Sequence, residues 1–403
     1  MKTAYPIQWF AGIICWVYQK LTKSDPATIV LTAFHGDGYR GNTRVLFESL
    51  CSHSLLKPVW LSRNRNIVEQ IRNQYGEERA ELTHSWRGIK ALSKAGALLF
   101  THGTSDFPFM PLPKTALKIQ TYHGLPTKRG EYLRPKSDNP PGFIHRKILE
   151  YRFKQIDYFL SSSPLVTFVF SERFGIPKER FLETGYPAYD RLITSQKSDK
   201  DIKSLFPEAP TSKKLILYAP TYRKLSKTRW FPFDDKDSES LARFLEIEDA
   251  LFAFRAHPND HLDTDKYLKL SPRFADASQK NIEDIYSLIP LCDAIITDYS
   301  SIYLEGLLKD IPSVFIPYDL ESYERGLPLP YHEISPGPKV TSQQELIIRL
   351  REALHGNDGY KSKRQRVKSV YFSDTSGLAT EKFIRFLEEK LISKSEMKSS
   401  INA

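Results

Sequence analysis

Residues 291–317 read Leu-Cys-Asp-Ala-Ile-Ile-Thr-Asp-Tyr-Ser-Ser-Ile-Tyr-Leu-Glu-Gly-Leu-Leu-Lys-Asp-Ile-Pro-Ser-Val-Phe-Ile-Pro, and they constrain the fold more than any other stretch. Residues 294–297 are apolar and β-branched, the composition of a parallel strand buried on both faces. Asp298, Tyr299, Ser300 and Ser301 follow where a strand hands over to a helix, with Ser301 as the expected N-cap of a helix over 302–308. Pro312 starts the next strand, 313–316. A β-turn-α-β unit with hydroxyls at a helix N-terminus can hold an anion, because unpaired N–H groups and the helix dipole converge there. Glu305, four residues past Ser301, rises on the same face, where a carboxylate accepts hydrogen bonds from sugar hydroxyls. Serines for phosphate and an acid for ribose suit a nucleotide diphosphate donor. A capped helix with a solvated Glu is the plainer alternative.

The rest of the chain repeats this alternation. Strands are expected at 28–34, 58–62, 97–101, 118–122, 156–160, 215–219 and 252–256. Helices are expected at 42–52, 85–95, 164–174, 342–355 and 380–391. The polar, proline-containing segment 195–214 reads as a linker. The 403 residues are enough for two domains, and 40% hydrophobic content supports two cores. Four segments are expected: a membrane-associating stretch 1–24, a Rossmann-like domain 25–200, a second over 201–375, and a C-terminal helix and tail 376–403.

Residues 7–21 carry Trp9, Phe10, Trp16 and Tyr18 beside Lys2, Lys20 and Lys23. The stretch is too short to span a bilayer comfortably. It either lies in a membrane interface, aromatic rings at headgroup depth, or packs on the body of the protein. Gly36-Asp37-Gly38-Tyr39-Arg40-Gly41 is a literal G-x-G-x-x-G after a strand, but the next strand ends in Leu-Ser-Arg-Asn without the acid an NAD ribose needs. The glycines are therefore read as a close-approach loop. Three widely spaced cysteines give no disulfide framework and point to a reducing compartment. The net charge of +10 suggests an acidic partner.

Several charged groups fall at strand ends. His123 follows strand 118–122 and is placed to act as a general base near neutral pH. Pro220, Thr221 and Arg223 follow strand 215–219, and Arg255 and His257 follow 252–254. With Ser300 and Ser301 they bring phosphate ligands to the strand ends of the second domain, the edge where open α/β sheets bind ligands. Asp235-Lys236-Asp237 and Asp263-Thr264-Asp265 are literal Asp-x-Asp, but neither follows a buried strand, so both read as solvated loops. No metal ligands are expected, and a magnesium ion is left open. Lys128, Arg129, Arg134, Lys136, Arg146, Lys147, Arg152 and Lys154 form a basic run interleaved with aromatics. It suits an anionic membrane, a pyrophosphate lipid or a nucleic acid, though no nucleic-acid-binding motif accompanies it.

These pieces together resemble the CDP-glycerol glycerophosphotransferase family, the teichoic acid primases and polymerases. The resemblance covers roughly residues 28–390. It rests on Tyr122-His-Gly-Leu-Pro126, Gly185-Tyr-Pro-Ala-Tyr-Asp190, Leu217-Tyr-Ala-Pro-Thr-Tyr-Arg223, Arg255-Ala-His-Pro258 and Ile296-Thr-Asp-Tyr-Ser-Ser301, followed by Tyr318-Asp-Leu-Glu-Ser-Tyr323. Tyr122, Leu125 and Ala188 stand where the family usually has Trp, Thr and Arg, and Glu305 where it has Asp. The resemblance implies a GT-B-type α/β fold: two Rossmann-like β/α domains facing across a cleft, with a C-terminal crossing helix. By motif, His123 corresponds to the base, with His257 as its rival in the catalytic pair. Pro220, Thr221, Arg255, His257, Ser300 and Ser301 correspond to donor contacts. Glu305 and Arg223 are added to the donor set, and Lys128 and Arg129 to the acceptor and membrane side.

The expected protein is a transferase moving a polyol-phosphate, most readily glycerol phosphate, from CDP-glycerol or another CDP-polyol. The acceptor would be a hydroxyl of a lipid-linked glycan or a polyol-phosphate polymer, at the cytoplasmic face of the cell membrane. A GT-B glycosyltransferase using a nucleotide sugar is the first alternative. A basic nucleic-acid-binding module is the second, and no nucleic-acid partner is expected.

Overall fold

The computed structural model describes residues 5–127, 143–197, 199–223, 228–256, 260, 264–323, 327 and 329–392. The chain divides into two compact units. The first comprises Met1–Gly124, Asn139–Asp190 and Ser376–Ala403; the second comprises Leu125–Asp138 and Arg191–Thr375. Both are Rossmann-like parallel β/α units, as the alternation predicted.

The first unit holds seven strands: β1 (Asp25–Leu31), β2 (Lys57–Ser62), β3 (Ala80–Leu82), β4 (Ala95–Phe100), β5 (Leu117–Gln120), β6 (Tyr158–Leu160) and β7 (Phe181–Leu182). Their spatial order is β3-β2-β1-β4-β5-β6-β7, all parallel. Every residue of β4 is buried, which is why it reads as an unbroken apolar run rather than an alternation. The order reverses between β1 and β4, so the loops leaving those two strands part to opposite faces and open a crevice at their carboxyl ends.

The second unit holds β8 (Lys214–Tyr218), β9 (Ala250–Phe254), β10 (Phe274–Asp276), β11 (Ala294–Thr297) and β12 (Ser313–Phe315), in the order β10-β9-β8-β11-β12. Its switch point lies between β8 and β11. Phe231, Phe252, Phe254, Tyr267 and Phe274 interlock on one side of this sheet, with ring centroids as close as 5.0 Å for Phe252 and Phe254.

Two local expectations change. Ser301 has helical φ and ψ and makes no side-chain cap; the α-helix is only Ile302–Gly306, continued by the 3-10 turn Leu307–Lys309. The helix runs so close to β11 that a Cβ on Gly306 would lie 2.6 Å from Ile295 Cδ1, and Asp310 then ends it at φ 55°. The segment expected as a linker contains the helix Asp199–Leu205, because Ile202 and Phe206, four apart, give it a buried face.

The helix Tyr5–Leu21 packs one side on the body of the first unit, the second of the two arrangements expected for it. Its buried side seats Cys15 Sγ 3.7 Å from Ser93 Oγ and the Tyr18 ring 5.2 Å from Trp86, both in or beside the helix Trp86–Lys94. Its other side leaves Trp9, Phe10, Ile13, Trp16, Val17 and Leu21 exposed at helical spacing. Among the described residues no helix is long and apolar enough to cross a membrane. The C-terminal helix Ala379–Leu391 belongs to the first unit, where Asp190 accepts hydrogen bonds from the N–H groups of Ala379 and Thr380.

Candidate functional site

In the first unit the chemistry gathers where β1, β4 and β5 end. Asp106 is fully buried and is held by backbone: the N–H groups of His35, Thr101 and His102 all donate to it. The Thr101 hydroxyl donates to Asp106 Oδ2 at 3.1 Å and accepts from the Phe34 N–H at 2.9 Å. Its remaining lone pair faces His102 Nδ1 at 2.8 Å. The Thr101 carbonyl faces His123 Nδ1 at 3.5 Å and also accepts from Gln120. A carbonyl can only accept, so His123 carries its proton on Nδ1 and leaves Nε2 as the basic nitrogen.

The His123 ring lies between His102, stacked at 4.0 Å and 2°, and Tyr122 at 4.2 Å. Burial of those ring faces, then the neighbouring His102, holds its pKa down at about 3; burial likewise holds His102 at about 4. His123 is nonetheless exposed to solvent beside these rings, so a hydroxyl from outside can reach a ring nitrogen that is deprotonated at neutral pH. The sequence pointed to a base near neutrality; covering the ring moves it lower.

Tyr122 sits at φ 57°, costly for a residue with a side chain. Two things hold it there. Its ring packs among Phe159, Phe170 and Phe174, and buried Asn42 donates to the carbonyls of both Thr121 and Tyr122. The same Asn42 accepts from Ala188 N–H, tying the His123 loop to the Gly-Tyr-Pro-Ala segment. His35, His102, Asp106 and Asn42 were not singled out from the sequence. A signal existed: His35-Gly36, His102-Gly103 and His123-Gly124 are three His-Gly pairs, each placed just after an apolar strand.

In the second unit Thr221 N–H donates to Asp298 Oδ1 at 2.8 Å, joining the ends of β8 and β11 at the switch point. Arg223 is buried. Its Nη2 donates to Asp298 Oδ2 and Asp319 Oδ1, and its Nε to Asp319 Oδ2, all at 2.8 Å. Tyr299, Tyr318 and Tyr323 surround the guanidinium at 5.1–5.2 Å. Arg223 therefore binds three loops together, and its charge is spent on two carboxylates. Arg255 Nη1 donates to the carbonyls of Ala277 and Ile282, which ties the end of β9 to the loop after β10. Buried Pro220 precedes Thr221, whose hydroxyl is buried with no hydrogen-bond partner among the described residues. Ser300 Oγ lies 3.5 Å from Ile302 N, and Ser301 opens the short helix. Glu305 is 5% exposed, with Tyr286 OH 3.5 Å from its Oε1. His257, Lys128 and Arg129 lie outside the described residues.

Of the two Asp-x-Asp segments, Asp237 caps the helix Ser238–Ile247 and Asp235 accepts from the N–H groups of Gln343 and Gln344. Asp263 of the second lies outside the described residues. The described part of the basic run is the helix Phe143–Lys154, which exposes Ile144, Ile148 and Tyr151 at i, i+4, i+7. It shares a groove of about 1570 Å³ with Trp16, Lys20 and Phe109, and Lys147 and Arg152 line the same groove.

Residues 15–389 match the model of a family described as CDP-glycerol:poly(glycerophosphate) glycerophosphotransferase. The chain is 28% identical over 372 residues to the teichoic acid glycerol-phosphate transferase of Staphylococcus aureus, a match covering 88% of this chain and 91% of that protein. It is 27% identical over 394 residues to the teichoic acid poly(glycerol phosphate) polymerase of Staphylococcus epidermidis, covering 91% of this chain and 51% of the polymerase, so it spans about half that relative's length. The solved wall teichoic acid polymerase TagF superposes with a TM-score of 0.79 at 22% identity, over 96% of this chain and 94% of that one, a likeness of fold.

Proposed function

The chain belongs to the CDP-glycerol:poly(glycerophosphate) glycerophosphotransferase family, the enzymes of glycerol phosphate transfer in teichoic acid synthesis, and from that premise we propose how its residues perform the reaction. The first unit serves the acceptor and the second the CDP-glycerol donor. His123 Nε2 takes the proton of the acceptor hydroxyl as its oxygen attacks the β-phosphorus. The phosphoanhydride bond breaks and CMP leaves with the bonding electron pair. The observation that carries this reading is the placement of His123: exposed at the end of a central strand, with Nδ1 turned to the Thr101 carbonyl at 3.5 Å. With little covalent chemistry required of the protein, positioning and charge stabilisation supply the rate.

On the donor side, Thr221 offers a buried hydroxyl with no partner among the described residues, and Ser300 and Ser301 add two half-buried hydroxyls in the loop after β11. Arg255 and His257 complete the phosphate contacts by motif. Glu305 accepts from ribose hydroxyls. Arg223 acts at one remove, by holding the loops that carry these groups. Replacing Glu305 by Gln is expected to weaken CDP-glycerol binding by about 1.5–3 kcal/mol, the worth of a charge-assisted hydrogen bond, while inorganic pyrophosphate binds as before. Unchanged affinity for CDP-glycerol in calorimetry would remove Glu305 from the donor site.

The acceptor in this proposal is a lipid-linked glycan or growing polymer, met at the cytoplasmic membrane face. The reading is supported by the exposed apolar stripes of Tyr5–Leu21 and Phe143–Lys154 with Lys20, Lys147 and Arg152 beside them. Because Cys15 and Tyr18 pack inward, the informative variant alters the outer face alone. Trp9, Phe10 and Trp16 all changed to Gln should release the protein from anionic vesicles and leave its melting temperature close to that of the parent. Undiminished co-flotation with vesicles would assign membrane binding elsewhere.

A further inference from the structure

We propose that His102 is a positioning residue for the base: an uncharged imidazole, stacked face to face on His123, that fixes the plane of the catalytic ring and lets only one of the two rings carry a positive charge. The inference rests on the reading of His123 as the base.

Thr101 carries the argument. Its single hydroxyl proton goes to Asp106 Oδ2, so its oxygen can only accept from His102 Nδ1. Its carbonyl takes His123 Nδ1. One residue thus anchors both imidazoles through the same ring nitrogen, and buried Asp106 fixes that residue through its N–H and its hydroxyl. With both Nδ1 atoms held, the rings lie parallel to within 2° at 4.0 Å. His35 is also nearby, 4.6 Å from His102, but at 47° it is tilted and adds no third layer.

The charged and titratable groups facing the pair are few. Asp106 favours a proton on His102, while burial, His35 and Arg40 oppose it. Arg173, His35 and His102 itself oppose one on His123, beside the burial of its ring. Two parallel imidazolium rings at this separation would repel strongly. A proton taken from the acceptor therefore sits on His123 only while His102 stays neutral. Fixing the ring plane matters because small misplacements of a reacting group cost large factors in rate.

The test compares His102→Ala with His102→Phe, which keeps a flat ring but cannot titrate. Proton NMR of the His123 C2–H is followed from about pH 5 to about pH 8, alongside single-turnover transfer from CDP-glycerol. In the parent the His123 signal should stay flat over this range. In His102→Ala it should titrate within it, because a covered ring face is opened to water. Transfer at neutral pH should fall by about tenfold or more with CDP-glycerol affinity retained. His102→Phe should keep the His123 signal flat and recover most of the lost rate. An unchanged His123 titration in His102→Ala would overturn the inference, as would His102→Phe losing as much rate as His102→Ala. The NMR arm does not depend on His123 being the base, so an active His123→Ala enzyme would defeat that reading separately.

Discussion

Replacing His123 by alanine is expected to slow the chemical step by about 10²–10⁴-fold, the usual contribution of a positioned general base, with little change in CDP-glycerol affinity. The split follows from where the residue sits. His123 belongs to the first unit, while the groups assigned to the donor lie on the second. Rapid-quench single turnover reads the step directly, and equilibrium binding reads the donor site. The pH dependence follows from the lowered pKa. A histidine held at about 3 is deprotonated throughout the neutral range, so the parent rate should show no acid limb from His123 between about pH 5 and pH 8. A His123→Ala enzyme with the parent's single-turnover rate would move the base to another group.

The second large effect is on stability. Changing Arg223 to alanine strands Asp298, 2% exposed, without its cation and loosens Asp319. Breaking a buried ion pair from one side costs about 3–5 kcal/mol. Melting of the second unit should fall by roughly 10 °C, taking about 2–4 °C per kcal/mol for a unit of this size. CDP-glycerol binding should fall with it, because the loops after β8, β11 and β12 lose the group that joins them. Lysine should not rescue, since a single ammonium cannot reproduce the two-sided fork on two carboxylates. Full stability combined with lost donor affinity would make Arg223 the direct phosphate contact that its strand-end position suggested.

How far the sequence could be read depended on how local each determinant is. β11 at Ala294–Thr297 and the helix Pro164–Phe174 were placed to the residue. The helix is bounded by a Ser163 cap, a first-turn proline and Gly175 in the left-handed region, all visible as residue types. β3, β7 and β10 went unread because they are only two or three residues long and carry too short a pattern to stand out. Ser301 failed as a cap because the close packing of Gly306 on Ile295, absent from any local pattern, sets the helix geometry. His123 was legible from its strand end. Its partner His102 was not, since stacking depends on β4 and β5 being neighbours in the sheet. The burial of Arg223 was equally hidden, because Asp298 and Asp319 lie 75 and 96 residues away.

The most direct test of the account follows both products of one reaction. The purified chain is given doubly labelled CDP-glycerol, CDP-ribitol or a UDP-sugar, together with a membrane-embedded glycan acceptor. The account predicts that CDP-glycerol alone releases CMP in step with glycerol phosphate entering the acceptor, and that His123→Ala abolishes both together. Sugar transfer from the UDP donor, or CMP release without glycerol phosphate reaching the acceptor, would contradict it.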